Sequence, residues 1–270
     1  MNRSKVILFP VVIAGLIALF QYMSAEKFVN PVTGRASHVA LSEEQESALG
    51  LQSYQEVLSE SRVVKSGPAV DMVIRIAKRL APVTGDAGQR FDWQASVIES
   101  EQANAFCLPG GKICVYTGIL PISQNEAGLA TVMGHEIAHA VSRHGSQRMF
   151  QGKMAQTLLS GAQFALSMGD MDIGQKRAVL GALGAGAQYG ILLPFSRDHE
   201  SEADEMGLIF MARAGYDPRE AISFWERMSE NSKGQPPEFA STHPSHGTRI
   251  ENLKRWMPKA LEEYQKAGGR

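Results

Sequence analysis

Gly134-His135-Glu136-Ile137-Ala138-His139 decides how this chain is read. It lies in a stretch beginning at Ser123, where Leu129, Val132, Met133, Ile137 and Val141 recur at helical spacing and Ser123 with Glu126 reads as a capping box. On a helix, residues four apart project from one face about one turn apart, so His135 and His139 could share one metal ion, read here as zinc. Glu136 is displaced around the helix yet within reach of an open coordination position. A carboxylate there would take a proton from the metal-activated water and return it to the leaving amine of a cut peptide. The same five residues also occur in ordinary helices as a surface or core histidine pair, so further ligands decide between the readings.

A second predicted helix supplies them in Glu200-Ser201-Glu202-Ala203-Asp204. Glu200 and Asp204 share a face. Glu200 would complete a His, His, Glu set that leaves one position for water, as catalytic zinc sites do. Asp204 would accept the free ring N–H of a ligating histidine and fix its tautomer. Glu202 faces elsewhere and is either the alternative ligand or a solvated helix charge. This helix is expected to end near Gly215, with Asp217-Pro218 starting another. His144, five positions past His139, lies about 140° around a continuous helix and should point away, as a surface or outer-layer residue. His199 should also face elsewhere, and His38 has no partner that sequence identifies.

The 270 residues, 44% hydrophobic and 20% charged, can bury one good core. A net charge of -1 lacks the basic excess of a nucleic-acid binder. Arg3 and Lys5 precede an apolar run, Val6 to Phe20, that reads as a signal sequence or a membrane anchor. Met23 spoils the small-x-small cleavage pattern at Met23-Ser24-Ala25, which favours the anchor, and Gln21 to Met23 could extend it toward the ~17–25 residues of a span. The expected organisation is a leader over 1–25, a linker over 26–41 and one catalytic domain over 42–270. Basic residues ahead of the run should remain cytoplasmic, so the domain is expected to face the periplasm from the inner membrane, or to be periplasmic if the leader is cleaved.

Ser42 and Gln45 cap a helix from about Glu43 to Glu60, and Pro68 opens another to about Leu80 with Val70, Val73, Ile74 and Ile76 on its apolar face. Alternation between Phe91 and Ile119 around Pro109-Gly110-Gly111 predicts strands and a hairpin. Cys107 and Cys114 flank that turn, and a disulfide and two small apolar side chains are equal alternatives. The uncharged run Ala178 to Phe195 is read as a close-packed or interfacial helix rather than a span. A last helix should run from Thr248 to about Lys266, kinked at Pro258.

With these residues in hand, the chain resembles the HtpX and BepA-like zinc metallopeptidases, relatives of the CAAX prenyl endopeptidases. The matching stretches are Asn104-Ala105-Phe106 through Pro109-Gly110-Gly111, Gly134 to His139, Ser196-Arg197 through Asp204, and Thr242-His243-Pro244 with Arg249. The resemblance implies an α+β fold, a mostly helical gluzincin domain with a small β-sheet whose edge strand lines the cleft. It implies one zinc per chain on His135, His139 and Glu200, with Glu136 as general base. Asn104 and Ala105 would lie on the edge strand that pairs with an extended substrate. His243 would approach the metal, blocking its open position or stabilising the oxyanion, and Arg249 would meet substrate or a nearby carboxylate. HtpX-type members have several spans and BepA-like members a repeat domain, so this chain is expected to be a minimal, singly anchored member. Its expected substrates are unfolded or misassembled exported proteins, with any assembly-machinery partner unidentified. The alternative is a chaperone or assembly factor with a latent or structural zinc site.

Overall fold

The N-terminal apolar run folds as helix α1 (Arg3–Ser24), with Pro10 inside it. The computed structural model describes residues 3–168, 195–231, 239, 243 and 248–269, with side chains from residue 9 onward. The predicted helix over 178–194, together with Thr242 and Pro244, lies outside the described residues. Where the sequence suggested only a linker, β1 (Glu26–Val29) and β2 (Ala36–Val39) pair antiparallel, Glu26 opposite Val39 and Val29 opposite Ala36. These strands have no apolar period to betray them, β1 being mostly exposed and β2 only partly buried up to Val39.

Among the described residues the other α-helices and strands are α2 (Glu43–Glu60), β3 (Val63–Val64), α3 (Pro68–Leu80), α4 (Gly85–Gln89), β4 (Gln94–Ile98), β5 (Ala105–Leu108), β6 (Lys112–Tyr116), α5 (Leu120–Ser123), α6 (Glu126–Val141), α7 (His144–Met168), α8 (Arg197–Arg213), α9 (Glu220–Asn231) and α10 (Arg249–Lys266). The chain is thus α+β, mostly helical with small sheets, as expected. It divides into two compact units. One holds residues 1–29, 35–42 and 146–193; the other holds 30–34, 43–145 and 194–270. In the first, a Cβ at Gly161 of α7 would stand 2.2 Å from the Ala14 methyl of α1, so the small residue permits the helices to touch. His38 is not solitary there: its ring packs on Tyr22 and Phe150, centroids 4.3 and 5.6 Å away. No helix among the described residues is long and apolar enough to cross a membrane.

In the second unit the sheet runs β3-β4-β6-β5, with β4 and β6 parallel and the other pairs antiparallel. This order leaves β5 at an edge. Gly110 and Gly111 turn the β5–β6 hairpin with φ of 76° and 81°, a region glycine enters without strain. The hairpin register also decides between the cysteine alternatives. Cys107 stands opposite Ile113 and Cys114 opposite Phe106, so the thiols point to opposite faces and both are free. Burial pushes the Cys114 thiol up to about 12.

Helix α6 starts at a different cap from the one expected. Asn125 is the N-cap, its side-chain oxygen accepting from the Gly128 N–H at 2.8 Å, whereas the Ser123 hydroxyl donates to the Ile119 carbonyl at 3.0 Å. Instead of one apolar face, every residue from Gly128 to Val141 is buried. Leu129, Met133 and Ile137 are fully enclosed, each worth roughly 1.5–3 kcal/mol of burial. Small residues let α8 come very close: a Cβ on Gly207 would lie 2.8 Å from the His135 backbone nitrogen, and one on Gly134 3.0 Å from the Gly207 carbonyl oxygen. Helix α8 then ends in a Schellman motif, Tyr216 N–H to Met211 C=O and Gly215 N–H to Ala212 C=O, both 2.9 Å, with Gly215 at φ 76°.

The α6–α8 crossing joins the two halves of the site, which gives it a measurable consequence. Gly207→Ala is expected to cost ~1–3 kcal/mol through overpacking and, by pushing Glu200 away from the histidines, to weaken metal uptake at the same time. Thermal melting and a metal titration of the variant check this; a variant that melts normally and titrates normally would show that the crossing is not tight.

Candidate metal centre

Helix α6 points His135 and His139 the same way, and α8 brings Glu200 across to them. His139 Nε2 lies 3.1 Å from His135 Nε2, and the Glu200 carboxylate oxygens lie 3.5 Å from His135 Nε2 and 3.4 Å from His139 Nε2. His243 completes the group, its Nδ1 at 3.3 Å from His135 Nε2 and 3.0 Å from Glu200 Oε1. All four side chains are buried, and one ligand atom of each lies within 4.8 Å of every other. Four donors at about 2.0–2.1 Å from a tetrahedral ion would stand roughly 3.3 Å apart. The observed separations match that figure. Lone pairs converging at this distance in a buried site need a cation or protons between them, so the donor set fits a divalent metal.

The other predicted residues surround this group. Asp204 Oδ1 lies 2.9 Å from His135 Nδ1, the nitrogen turned away from Glu200. Arg249, at the start of α10, donates from Nε to Asp204 Oδ2 and from a terminal nitrogen to Glu200 Oε2, both at 2.6 Å, and its guanidinium lies 3.9 Å over the Trp225 ring. Of the two partners expected for Arg249, it meets the carboxylates. The Glu136 Oε1 atom lies 3.4 Å from His243 Nε2, and the Cys107 backbone hydrogen-bonds to the Glu136 carboxylate. The edge strand therefore borders the site. Asn104 C=O accepts from Tyr116 N–H on β6, so by alternation the backbone groups of Ala105 and Cys107 face away from β6. The Ala105 N–H is capped by the Asn104 side chain at 2.9 Å.

Burial opposes a charge on His135, but Asp204 and Glu200 beside it outweigh burial and raise it to about 10. His139 is buried with fewer compensating carboxylates and is held well below the usual histidine range. Burial also raises the Glu136 carboxyl. Burial pulls Glu200 upward, yet hydrogen bonds from the three histidines win and keep it low.

The expectation that His144 points away is overturned, although it takes the outer-layer place offered beside the surface one, and His199 stays outside the four converging donors. Helix α6 stops at Val141, Arg143 takes a left-handed φ of 56°, and α7 begins at His144. The break turns His144 back toward the site, its Nδ1 2.9 Å from His139 Nδ1. His199 stacks on His144, centroids 4.3 Å apart at 27°, and is buried as well. Glu202 is no solvated charge: its Oε2 lies 2.9 Å from His144 Nε2, and Thr33 donates to its Oε1. Sequence also gave no warning of the aromatic wall. Phe195 packs on His139 at 4.1 Å, and Trp225 and Phe239 on His135 at 5.6 and 6.0 Å.

Residues 71–257 match peptidase family M48. The chain is 38% identical over 236 residues to the mitochondrial metalloendopeptidase OMA1 of Schizosaccharomyces pombe, covering 85% of this chain and 66% of that protein. It is 31% identical to the mitochondrial metalloendopeptidase OMA1 of Homo sapiens, covering 92% of this chain and 48% of that one. The beta-barrel assembly-enhancing protease of Escherichia coli is 32% identical over 163 residues, 58% of this chain and 33% of the relative. The chain thus spans about two thirds of the fission-yeast relative and about half of the human one. These relatives correct the expected placement at a bacterial inner membrane facing the periplasm, because the fission-yeast and human proteins, which match 85% and 92% of this chain, are named as mitochondrial. A converging His, His, Glu group, a carboxylate beside it and a family match across both helices lead to one assignment: the chain belongs to peptidase family M48 and is a metalloendopeptidase.

Proposed function

We propose that the metal is zinc, one per chain, held by His135, His139 and Glu200, and that the enzyme cuts peptide bonds in unfolded or misassembled proteins. The observation that carries this reading is the set of donor separations, 3.1 to 3.5 Å among the three residues, with Glu136 beside them. Zinc held there supplies Lewis acidity, polarising a carbonyl and making water acidic near neutral pH.

The chain's own residues do the rest. Glu136, buried and raised in proton affinity, takes a proton from the attacking water and passes it to the leaving amine. The Cys107 backbone aims its carboxylate. Asp204 holds His135 in the tautomer that presents Nε2, and Arg249 fixes Asp204 and Glu200 together. Substrate lies along β5 and donates its own N–H groups to the outward carbonyl oxygens of Ala105 and Cys107, with Asn104 shaping that edge. Such pairing needs an extended backbone, which folded proteins do not offer.

The position of His243 favours a latent resting state within the same reading. Its Nδ1 stands where a fourth donor would, and it must swing aside before substrate enters; once moved, it is placed to hydrogen-bond the developing oxyanion.

Cleavage is expected to be much faster on a reduced, alkylated protein than on its native form at equal concentration. Rates measured on both by gel densitometry test this, and equal rates would sink the requirement for an extended substrate.

A further inference from the structure

We infer that His144 and Glu202 are positioning residues for the metal ligand His139, joined to it in a hydrogen-bonded relay that ends on Thr33. The inference rests on the metal reading above and adds to it how the second histidine is held.

The two ligating histidines are supported differently. His135 turns its outer nitrogen directly to a carboxylate, Asp204 Oδ1 at 2.9 Å. His139 turns its outer nitrogen to another imidazole, His144 Nδ1 at 2.9 Å. Two facing ring nitrogens bond only if one carries hydrogen and the other a lone pair. The roles follow from the metal side. For His139 Nε2 to offer a lone pair, its proton must sit on Nδ1, so His139 donates and His144 Nδ1 accepts. The proton of His144 is then on Nε2, which faces Glu202 Oε2 at 2.9 Å and donates to it. The Thr33 hydroxyl donates to the other carboxylate oxygen. Every link has one donor and one acceptor, and neither of the two links made by the His144 ring can be reversed without removing the lone pair from His139 Nε2.

Burial and packing make the relay rigid. His144 is fully enclosed, Glu202 nearly so, and the His199 ring stacked on His144 limits its rotation. The left-handed Arg143, whose Nε donates to Glu46 Oε1 at 3.0 Å, is what aims His144 backward. A carboxylate two rings away thus does for His139 what Asp204 does for His135: it fixes the tautomer and makes the ligand a better donor.

The test uses the full chain and measures the zinc dissociation constant by chelator competition, with the visible spectrum of the cobalt-loaded protein and the melting temperature of the metal-free form alongside. His144→Leu and Glu202→Gln are each expected to weaken zinc by about 10- to 100-fold and to perturb the cobalt spectrum. His144→Gln, whose amide both accepts and donates, should recover much of the loss. The double variant should fall little further than the worse single one, because both break one chain. Zinc affinities within about twofold of wild type, losses that add in the double variant, or a lowered melting temperature with zinc affinity untouched would each overturn the relay. Should His144→Leu fail to fold, Glu202→Gln and Thr33→Val decide alone. A wild type that takes up no zinc would remove the metal reading itself, whereas normal zinc binding by wild type and variants alike removes only the relay.

Discussion

Glu136→Gln is expected to leave the metal in place and cut kcat by about 10²- to 10⁴-fold, the usual worth of a positioned general base. The change is nearly isosteric and removes a charge from a buried position, so folding should not suffer. The amide oxygen can still accept from the Cys107 backbone, but it cannot take a proton from water. The residue is not among the four converging donors, so metal content should match wild type. Zinc content and casein cleavage, measured on the same preparations of both proteins, check the two halves of the statement. Cleavage by the variant within a few-fold of wild type would remove Glu136 from the chemistry. Loss of zinc from the variant would mean that it ligates.

Stripping the metal is expected to cost stability as well as activity. A ligand that binds only the folded state at a thousandfold excess over its dissociation constant adds about 4 kcal/mol. For a domain of this size each kcal/mol moves the midpoint by about 2–4 °C, so a chelator should lower melting by roughly 10 °C. The effect depends on pH in a definite direction. In the metal-free protein His135 is raised from 6.5 to about 10, so its protonated form adds stability that is complete below about pH 6.5 and lost as pH rises through about 10. Metal must displace that proton, so affinity should fall about tenfold for each unit of acidification across neutral pH. The gap in melting temperature with and without chelator therefore widens from pH 6.5 to pH 8.5. An identical melting temperature with and without chelator at both pH values would refute the coupling of this site to folding.

Local chemistry made several elements legible before any coordinates. Ser42 and Pro68 announced the starts of α2 and α3, and Gly215 the end of α8, because caps and left-handed glycines act within a few residues. The four-residue spacing of His135 and His139 was readable for the same reason, as was that of Glu200 and Asp204, whereas the meeting of the two pairs was inferred from the need for a third ligand. His243 was not readable from spacing, since it joins the others only through tertiary folding; the family resemblance alone suggested it. The errors have equally local causes. Ser123 and Glu126 fit a capping box, but Asn125 lay closer to the helix and took the cap. The burial of α6 on all sides was hidden because Gly134, Ala138 and Ala140 look neutral in a periodic pattern, although small residues are what permit close neighbours. Strand β1 is mostly exposed and β2 is half-buried without an in-out pattern, so neither shows alternation.

The helix break between Val141 and His144 bears on any attempt to transplant this site. Neither Ser142 nor Arg143 is a residue that a designer would choose to stop a helix, and a scaffold carrying the five-residue motif on an uninterrupted helix would satisfy every rule about ligand spacing. On such a scaffold position 144 would project away from the metal, and the ring at position 139 would have nothing on its outer side to stop it turning. The portable unit is therefore longer than the motif: it runs through the reversal of direction that follows it and includes the residue that the reversal brings back.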